Sequence, residues 1–308
     1  MLQISKILVP MDFSVNAKHS AAYALHLGRI LKAEEIHLVH VDLYGGNPDE
    51  LAEALQKAEL ELQSEIPVVT RVVRANYHAA PGIVQYAEAN KMELIIMGTH
   101  GLRGMRRFLL GSVAEEVVRT TPCPVVTLHE RPEGVLMPEY VTRILVPIDY
   151  SEFSRVALEE AKYLADKFGA GLDLVYVLED WPYPPMFGIS VPSISETNPE
   201  MVTSAENAMH RFFADTPGPK VSYTVNVLFG SVVNTIKAYA EENDSSMIII
   251  ATHGINNEIQ ELIGSTTEKL IRTCMTPIYS LRPIIRKEVK EKVRPDTWIG
   301  PTTSGHVA

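Results

Sequence analysis

Two stretches of the chain share one sequence pattern. The segment KILVPMDFS at 6–14 returns as RILVPIDYS at 143–151, and MELIIMGTHG at 92–101 returns as SSMIIIATHG at 245–254. The first pair is 137 residues apart and the second 153, so the second copy contains an insertion. A repeat this long indicates two tandem domains of the same fold within the 308 residues.

Changes in composition indicate where each domain begins and ends. We predict a first domain over 1–130, a linker over 131–141, a second domain over 142–283 and a C-terminal tail over 284–308. The insertion falls at 179–200, where prolines and serines favour a long irregular surface loop. The tail has no counterpart in the first copy.

Short apolar runs alternate with helical patterns in both copies. Runs such as KILVPM, IHLVHV, PVVTRVV, LIIMG and CPVVTL are continuous, which is typical of parallel strands covered on both faces. Small or apolar residues recur on one helical face at Ser20, Ala24, Leu27 and Leu31, and again at Ala157, Ala161, Leu164 and Phe168. We therefore predict an α/β fold of two tandem, doubly wound, parallel five-stranded sheets, with strand order 3-2-1-4-5 and helices on both faces.

The loop after the fourth strand of the first copy has features of an anion site. Gly98-Thr-His-Gly101 is followed by nine residues and then by Gly111-Ser112, where another helical pattern begins. Glycines allow a ligand to approach the backbone, and free amides at a helix N-terminus attract phosphate. The nine residues include Arg103, Arg106 and Arg107 and no acid, whereas their counterparts in the second copy include two glutamates and no base.

The spacing Gly98-x2-Gly101-x9-Gly111-Ser112 resembles the nucleotide-binding motif of the universal stress protein family. The similarity extends to ILVPMDFS, HLVHV and TTPCPVVTL and covers most of both copies. It implies that the first domain binds ATP or AMP, with Mg²⁺. The residues implied are Asp12 and Val41 beside the adenine, Gly98, His100 and Gly101 along the ribose and phosphates, and Gly111, Ser112 and Val113 at the end of the phosphate chain.

The second copy departs from this motif at one position. Asp149, Val177, Gly254, Gly264 and Ser265 match the pattern, but Ala251 stands where the first copy has Gly98. The added Cβ and the acidic loop predict weaker anion binding by the second domain.

Structural explanations compete with this interpretation. Asp12 and Ser14 are also typical helix-capping residues, and Gly98 and Gly101 also suit a tight turn. The three arginines also suit a solvated helix face.

Composition restricts the remaining function classes. The net charge of -10 and the pI near 5.5 argue against nucleic acid and anionic membranes as partners. Two cysteines in no metal or disulfide pattern, and an N-terminal sequence unlike a signal peptide, favour the cytoplasm. We find no metal-binding histidine pair, no P-loop, no dinucleotide fingerprint and no nucleophile elbow.

The favoured hypothesis is therefore a stress-response protein, not an enzyme, that binds adenine nucleotide as a regulatory or signalling ligand. A nucleotide-free interaction scaffold is the first alternative. A slow ATP hydrolase is the second, with Asp12 or His100 as the available base. The terminal strands CPVVTL and TPIYSL would leave open edges, and the family resemblance implies that they pair there. We therefore expect the two domains to pack as an internal pseudo-dimer that could dimerise further.

Overall fold

The computed structural model describes residues 4–100, 111–130, 140–179, 199–253 and 263–282. The strands are β1 (Lys6–Pro10), β2 (Glu35–Asp42), β3 (Val68–Arg74), β4 (Leu94–Gly98), β5 (Val125–Leu128), β6 (Arg143–Pro147), β7 (Gly171–Leu178), β8 (Tyr223–Phe229), β9 (Met247–Ala251) and β10 (Ile278–Leu281). The helices are α1 (Val15–Leu31), α2 (Pro48–Leu62), α3 (Ala79–Ala89), α4 (Ser112–Thr120), α5 (Glu152–Phe168), α6 (Pro199–Asp215), α7 (Val232–Glu242) and α8 (Ser265–Thr273).

The strands form one sheet of ten, in the order β3-β2-β1-β4-β5-β10-β9-β6-β7-β8. Each half has the predicted order 3-2-1-4-5, with parallel neighbours throughout. The two halves join where β10 pairs antiparallel with β5, in the register Tyr279↔Val126. The open edges expected of the terminal strands are thus closed by each other, which produces the internal pseudo-dimer.

Helices cover both faces of this sheet, and successive strand residues enter two different cores. Ile7 and Val9 pack on the α1, α2, α5 and α6 side, whereas Leu8 packs on the side of the other four helices. The predicted inner faces of α1 and α5 are confirmed, because Ala24 and Ala157 are fully buried. Ser14 and Ser151 begin these helices by accepting hydrogen bonds from the amides of Ala17 and Ser154.

Two sequence-based expectations need correction. The insertion was predicted to be irregular through residue 200, but α6 begins at Pro199, because proline suits the first helical position and Glu200 suits the first turn. The run PVVTRVV was expected to be covered on both faces, but β3 is half-exposed because it forms one edge of the sheet.

The remaining insertion residues, 180–198, lie outside the described part of the chain, as do linker residues 131–139 and the tail after 282. The proposed domain boundaries therefore stay predictions. Within the described ranges, no helix combines the length and apolar character needed to cross a bilayer. The same ranges hold no cluster of three or more His, Cys, Asp or Glu residues suited to a metal ion.

Candidate functional site

The carboxyl ends of β1 and β4 mark the point where the first half changes winding direction. These strands are parallel neighbours, in the register Leu8↔Ile95, but the chain leaves β1 toward β2 and reaches β5 from β4. Ligands of doubly wound sheets bind in the crevice formed at such a point. Of the predicted site residues, Asp12 follows β1, Gly98 ends β4, and Ser112 begins α4, so all three lie at this end of the sheet.

Asp12 shapes the turn from β1 into α1. Its Oδ1 accepts the amide of Ser14 at 3.0 Å, and Phe13 between them has a φ of 64°. The second half repeats this turn with Asp149, Ser151 and Tyr150, whose φ is 60°. Ser14, rather than Asp12, is therefore the helix cap. A non-glycine residue held at positive φ in both halves indicates a strained turn that the surrounding structure maintains.

His40 was missed as a site residue by the sequence analysis. Its ring stacks on Phe13, with the ring centroids 4.9 Å apart, and its Nδ1 lies 2.7 Å from the carbonyl of Met11. The carbonyl can only accept, so Nδ1 carries the proton. His40 thereby fixes the β1–α1 turn from β2, and no local motif signals this contact.

Close packing within the protein requires a glycine at position 98. A Cβ built there would lie 2.9 Å from Cβ of Asn16 and 3.2 Å from the carbonyl oxygen of His100. Asn16 is buried, and its Nδ2 donates to that carbonyl at 3.1 Å. The glycine therefore lets the first turn of α1 pack closely on the end of β4. In the second half the corresponding pair is Phe153 and Ala251.

The hydrogen bonding of the Gly111 amide differs from the prediction made from the sequence. Its amide was predicted to be free for a ligand, but it donates to the carbonyl of Thr99 at 2.8 Å. A Cβ on Gly111 would lie 2.9 Å from that same oxygen, so glycine is required by the close approach of two backbone segments. Gly264 repeats this contact with Thr252 at 2.7 Å. The contact pins the start of α4 to the end of β4.

Backbone amides in the first turn of α4 nevertheless lie outside the helical hydrogen-bond pattern. The first donor inside the helix is Glu115, which bonds to Gly111, so the amides of Ser112, Val113 and Ala114 precede the helical pattern. No side chain in the described ranges caps this helix, in contrast to α1 and α5. These amides and the helix dipole together favour a negatively charged group at this end of the sheet.

His100 lies between Gly98 and the first turn of α4. Its Nδ1 is 3.0 Å from Oγ1 of Thr99, and its Nε2 is buried with no hydrogen-bond partner in the described part of the chain. Burial lowers the pKa of His100, partly offset by the charge of Glu130, so the ring is neutral near pH 7. Gly101 and the arginines at 103, 106 and 107 lie outside the described residues.

Val41 and Asp42 are the last residues of β2. In the sheet, β2 lies on one side of β1 and β4 lies on the other. Val41 is half-buried and packs on α3, where a Cβ at Gly82 would lie 3.0 Å from it. Oδ1 of Asp42 accepts three backbone amides, those of Tyr44, Gly45 and Gly46, at 3.0 to 3.1 Å. These bonds lower the pKa of the buried Asp42 carboxyl, and its partner Arg74 lowers it further.

The lowered pKa of Asp42 predicts how stability depends on pH. Because the folded-state pKa is below the unfolded value, the carboxylate stabilises the fold above the unfolded pKa of about 3.9, and this contribution disappears as pH falls through the folded pKa. Asp42→Asn is expected to be less stable than wild type at pH 7, with the difference shrinking toward pH 3. Urea unfolding at both pH values measures this. A difference that stays constant or grows on acidification would contradict the assignment.

The equivalent end of the second half has an additional aromatic side chain, Phe153, at the position of Asn16. Its ring lies 5.7 Å from that of His253, whereas the rings of Tyr150 and Tyr176, 4.9 Å apart, repeat the contact of Phe13 with His40. Tyr150 also donates to the carbonyl of Ala205 in α6 at 3.1 Å. Gly254 lies outside the described residues. The two halves thus share a backbone design but differ in the side chains that line this end of the sheet.

The sequence profile described as "Universal stress protein family" matches the chain twice, over residues 3–129 and 141–282. The chain belongs to the universal stress protein family. A universal stress protein of Methanocaldococcus jannaschii is 32% identical over 139 residues, which cover 41% of this chain and 82% of that protein. Both halves are therefore universal stress protein domains.

One of two solved universal stress proteins compared with this chain matches it over both halves. One from Archaeoglobus fulgidus, 22% identical, covers 91% of this chain and 99% of its own, with a TM-score of 0.65. A universal stress protein solved in complex with cAMP is 20% identical and covers 42% of this chain and 98% of its own, with a TM-score of 0.36. The tandem arrangement in a single chain is thus found in a second universal stress protein.

Proposed function

We propose that the first half binds one adenine nucleotide, ATP or AMP, and that the protein acts as a nucleotide-dependent regulatory module and not as an enzyme. The observation that carries this proposal is the uncapped first turn of α4 at the β1/β4 crevice, where three consecutive backbone amides precede the first helical hydrogen bond.

The phosphates would lie on the amides of Ser112, Val113 and Ala114. The contact between Gly111 and Thr99 supports this placement, because it holds the start of the helix against β4. In a chain with a net charge of -10, an anion needs such local donors. The sequence segment that precedes Gly111 contains three arginines and no acid. Mg²⁺ would arrive with the triphosphate and would be held chiefly by phosphate oxygens and water.

The base and ribose would extend toward the ends of β1 and β2. Asp12 and Val41 are proposed to border the adenine, with Gly98, His100 and Gly101 along the ribose and phosphates. The strained turn at Phe13 and its stacking on His40 support a preformed wall at this place. Both cysteines are buried as free thiols, which supports the cytoplasmic location that we propose.

The second half is proposed to act as a scaffold. Phe153 packs against His253 at the position where Asn16 contacts the loop of the first half, and Ala251 replaces the bare glycine. This half keeps the uncapped helix at Ser265 but has the Phe153–His253 ring contact where the first half has Asn16. The nucleotide-free alternative raised by the sequence is therefore retained for this half alone.

Replacing Ser112 with proline tests the phosphate site without disturbing the helix. Proline is tolerated at the first helical position, and Gly111 before it has φ -63° and ψ 138°, a conformation that precedes proline well. Loss of one amide and one hydroxyl facing a phosphate is expected to weaken ATP affinity about 10- to 100-fold. Isothermal titration calorimetry measures the change.

Matched variants make this test specific. Ser265→Pro removes the same groups from the second half, where Gly264 has φ -60° and ψ 139°, and should leave ATP affinity unchanged. Ser112→Ala removes the hydroxyl alone and separates its contribution from that of the amide. Equal affinity in wild type and Ser112→Pro, or an equal loss in Ser265→Pro, would rule out the proposed phosphate site.

A further inference from the structure

A chain of hydrogen bonds connects the candidate site to the second half of the protein. Nε2 of His129, just after β5, lies 2.6 Å from the carbonyl of Ile271 in α8. Oγ1 of Thr99 lies 3.3 Å from Nδ1 of His129 and 3.0 Å from Nδ1 of His100. Thr99 is almost fully buried, so water does not readily replace these partners. His100 is thereby linked to a backbone carbonyl 171 positions away in the sequence.

Donor and acceptor rules assign the protons along this chain. The carbonyl of Ile271 can only accept, so His129 carries its proton on Nε2 and presents a lone pair at Nδ1. The single hydroxyl hydrogen of Thr99 then satisfies that lone pair. Nδ1 of His100 must in turn donate to Oγ1 of Thr99. With neutral rings, this is the one assignment that satisfies all three contacts.

Neutral rings are what the surroundings favour. Burial lowers the pKa of His129, with smaller effects from the carbonyl of Ile271, from His100 and from Lys237. Burial is also the main cause that lowers the pKa of His100. Each ring therefore holds one proton near neutral pH, and the position of that proton is determined by its neighbours.

The proton on Nδ1 leaves Nε2 of His100 as an acceptor. This atom is buried and has no hydrogen-bond partner within the described ranges, and an unpaired buried acceptor is unfavourable until a donor reaches it. A phosphate oxygen is also an acceptor and cannot satisfy it. A ribose hydroxyl can donate to it.

We propose that the second half, acting through His129, fixes the tautomer of His100 so that Nε2 accepts a hydrogen bond from a ribose hydroxyl of the bound nucleotide. This inference rests on the nucleotide-binding function proposed above and adds a specificity to it. The first half selects ribonucleotides over deoxyribonucleotides, and His129 is the positioning residue for that selection.

The second half lacks the same control. Thr252 contacts His253 at 2.9 Å as Thr99 contacts His100, but the position equivalent to His129 holds Arg282. An arginine side chain has no acceptor atom, so it cannot claim the hydroxyl hydrogen of Thr252. The second half thus provides a natural comparison for the first. The variant His129→Arg introduces the arginine of the second half at the equivalent position of the first half.

Calorimetric titration with ATP, 2′-deoxy-ATP and 3′-deoxy-ATP tests the selection. Wild type is expected to bind at least one deoxy analogue about 10- to 100-fold more weakly than ATP, because a buried acceptor loses its donor. In His129→Arg the difference should fall below about 3-fold, which is less than one ordinary hydrogen bond supplies. His129→Gln, whose amide offers a donor and an acceptor, should retain the selection.

Nitrogen-15 NMR of the histidine rings provides a readout that needs no nucleotide. Wild-type His100 should be protonated at Nδ1, and His129→Arg should shift His100 toward Nε2 protonation. A wild-type His100 protonated at Nε2 would overturn the inference even if ATP binds. Equal affinity for ATP and both deoxy analogues would overturn it too, whereas no binding of any nucleotide would overturn the proposed function along with it.

Discussion

Replacing Asn16 with phenylalanine and Gly98 with alanine together is expected to abolish nucleotide binding by the first half while leaving the protein folded. The pair copies Phe153 and Ala251, which the second half has at the equivalent positions. The ring would fill the space beside His100 and remove the amide that holds its carbonyl. We expect ATP affinity to fall about 100-fold or more, equivalent to about 3 kcal/mol.

The single variants separate packing from binding. Gly98→Ala alone places a Cβ 2.9 Å from Cβ of Asn16, so this variant should lose stability as well as affinity. Phenylalanine has a Cβ at the same place as asparagine, so the double variant keeps this close contact and should recover neither stability nor affinity relative to Gly98→Ala. Circular dichroism melting and calorimetry measure the two quantities. A folded double variant that binds ATP as wild type does would refute our account of the difference between the halves.

Tyr279→Ala is expected to cost about 3–5 kcal/mol of unfolding free energy, the range for deleting a large buried aromatic side chain. Tyr279 is 1% exposed, and it lies in β10 opposite Val126 of β5, where the two halves join. Its hydroxyl donates to Oε1 of Glu160 in α5 at 2.5 Å. The substitution therefore opens a cavity at the junction and leaves a carboxyl group without its partner. Urea unfolding monitored by fluorescence measures the loss.

Controls at the same junction separate these contributions. Tyr279→Phe keeps the ring and removes the hydroxyl, so its smaller loss reports the hydrogen bond. Val126→Ala deletes fewer atoms from the facing strand and should also cost less than Tyr279→Ala. Burial is the main cause that raises the pKa of Glu160, so Glu160→Gln should gain stability relative to wild type as pH rises from 4 to 7. A Tyr279→Ala protein as stable as Val126→Ala would contradict the assigned junction.

Much of the fold could be predicted because its signals are local and repeated. Continuous apolar runs, small residues at helical spacing and the capping serines Ser14 and Ser151 each act within a few residues of themselves. The duplication presents each of these signals twice, so two tandem doubly wound parallel sheets could be predicted from local patterns, whereas the pairing of β5 with β10 was implied by the family resemblance.

The contacts that define the candidate site were less accessible to sequence reasoning. Asn16 reaches the carbonyl of His100 across 84 residues, and His129 reaches Ile271 across 142. Neither pair leaves a periodic or motif signal. The amide of Gly111 was expected to be free. The motif predicts a glycine at this position, but it does not predict which backbone oxygen approaches that glycine. The roles at a nucleotide of all eight predicted site residues stay predictions.

The proposed function assigns different roles to the two halves because their side chains differ at the equivalent end of the sheet. One backbone design occurs twice in a single sheet, but Asn16 and Gly98 of the first half are replaced by Phe153 and Ala251 in the second. The hydrogen bond from His129 to Ile271 then joins the end of β5 in the first half to α8 of the second.

The number of nucleotides bound per chain tests the central claim most directly. ATP titrated into the 308-residue chain by isothermal calorimetry, in the presence of Mg²⁺, should saturate at one equivalent, and that site should be weakened by Ser112→Pro and unaffected by Ser265→Pro. Saturation at two equivalents, or no heat of binding at millimolar ATP, would contradict the account.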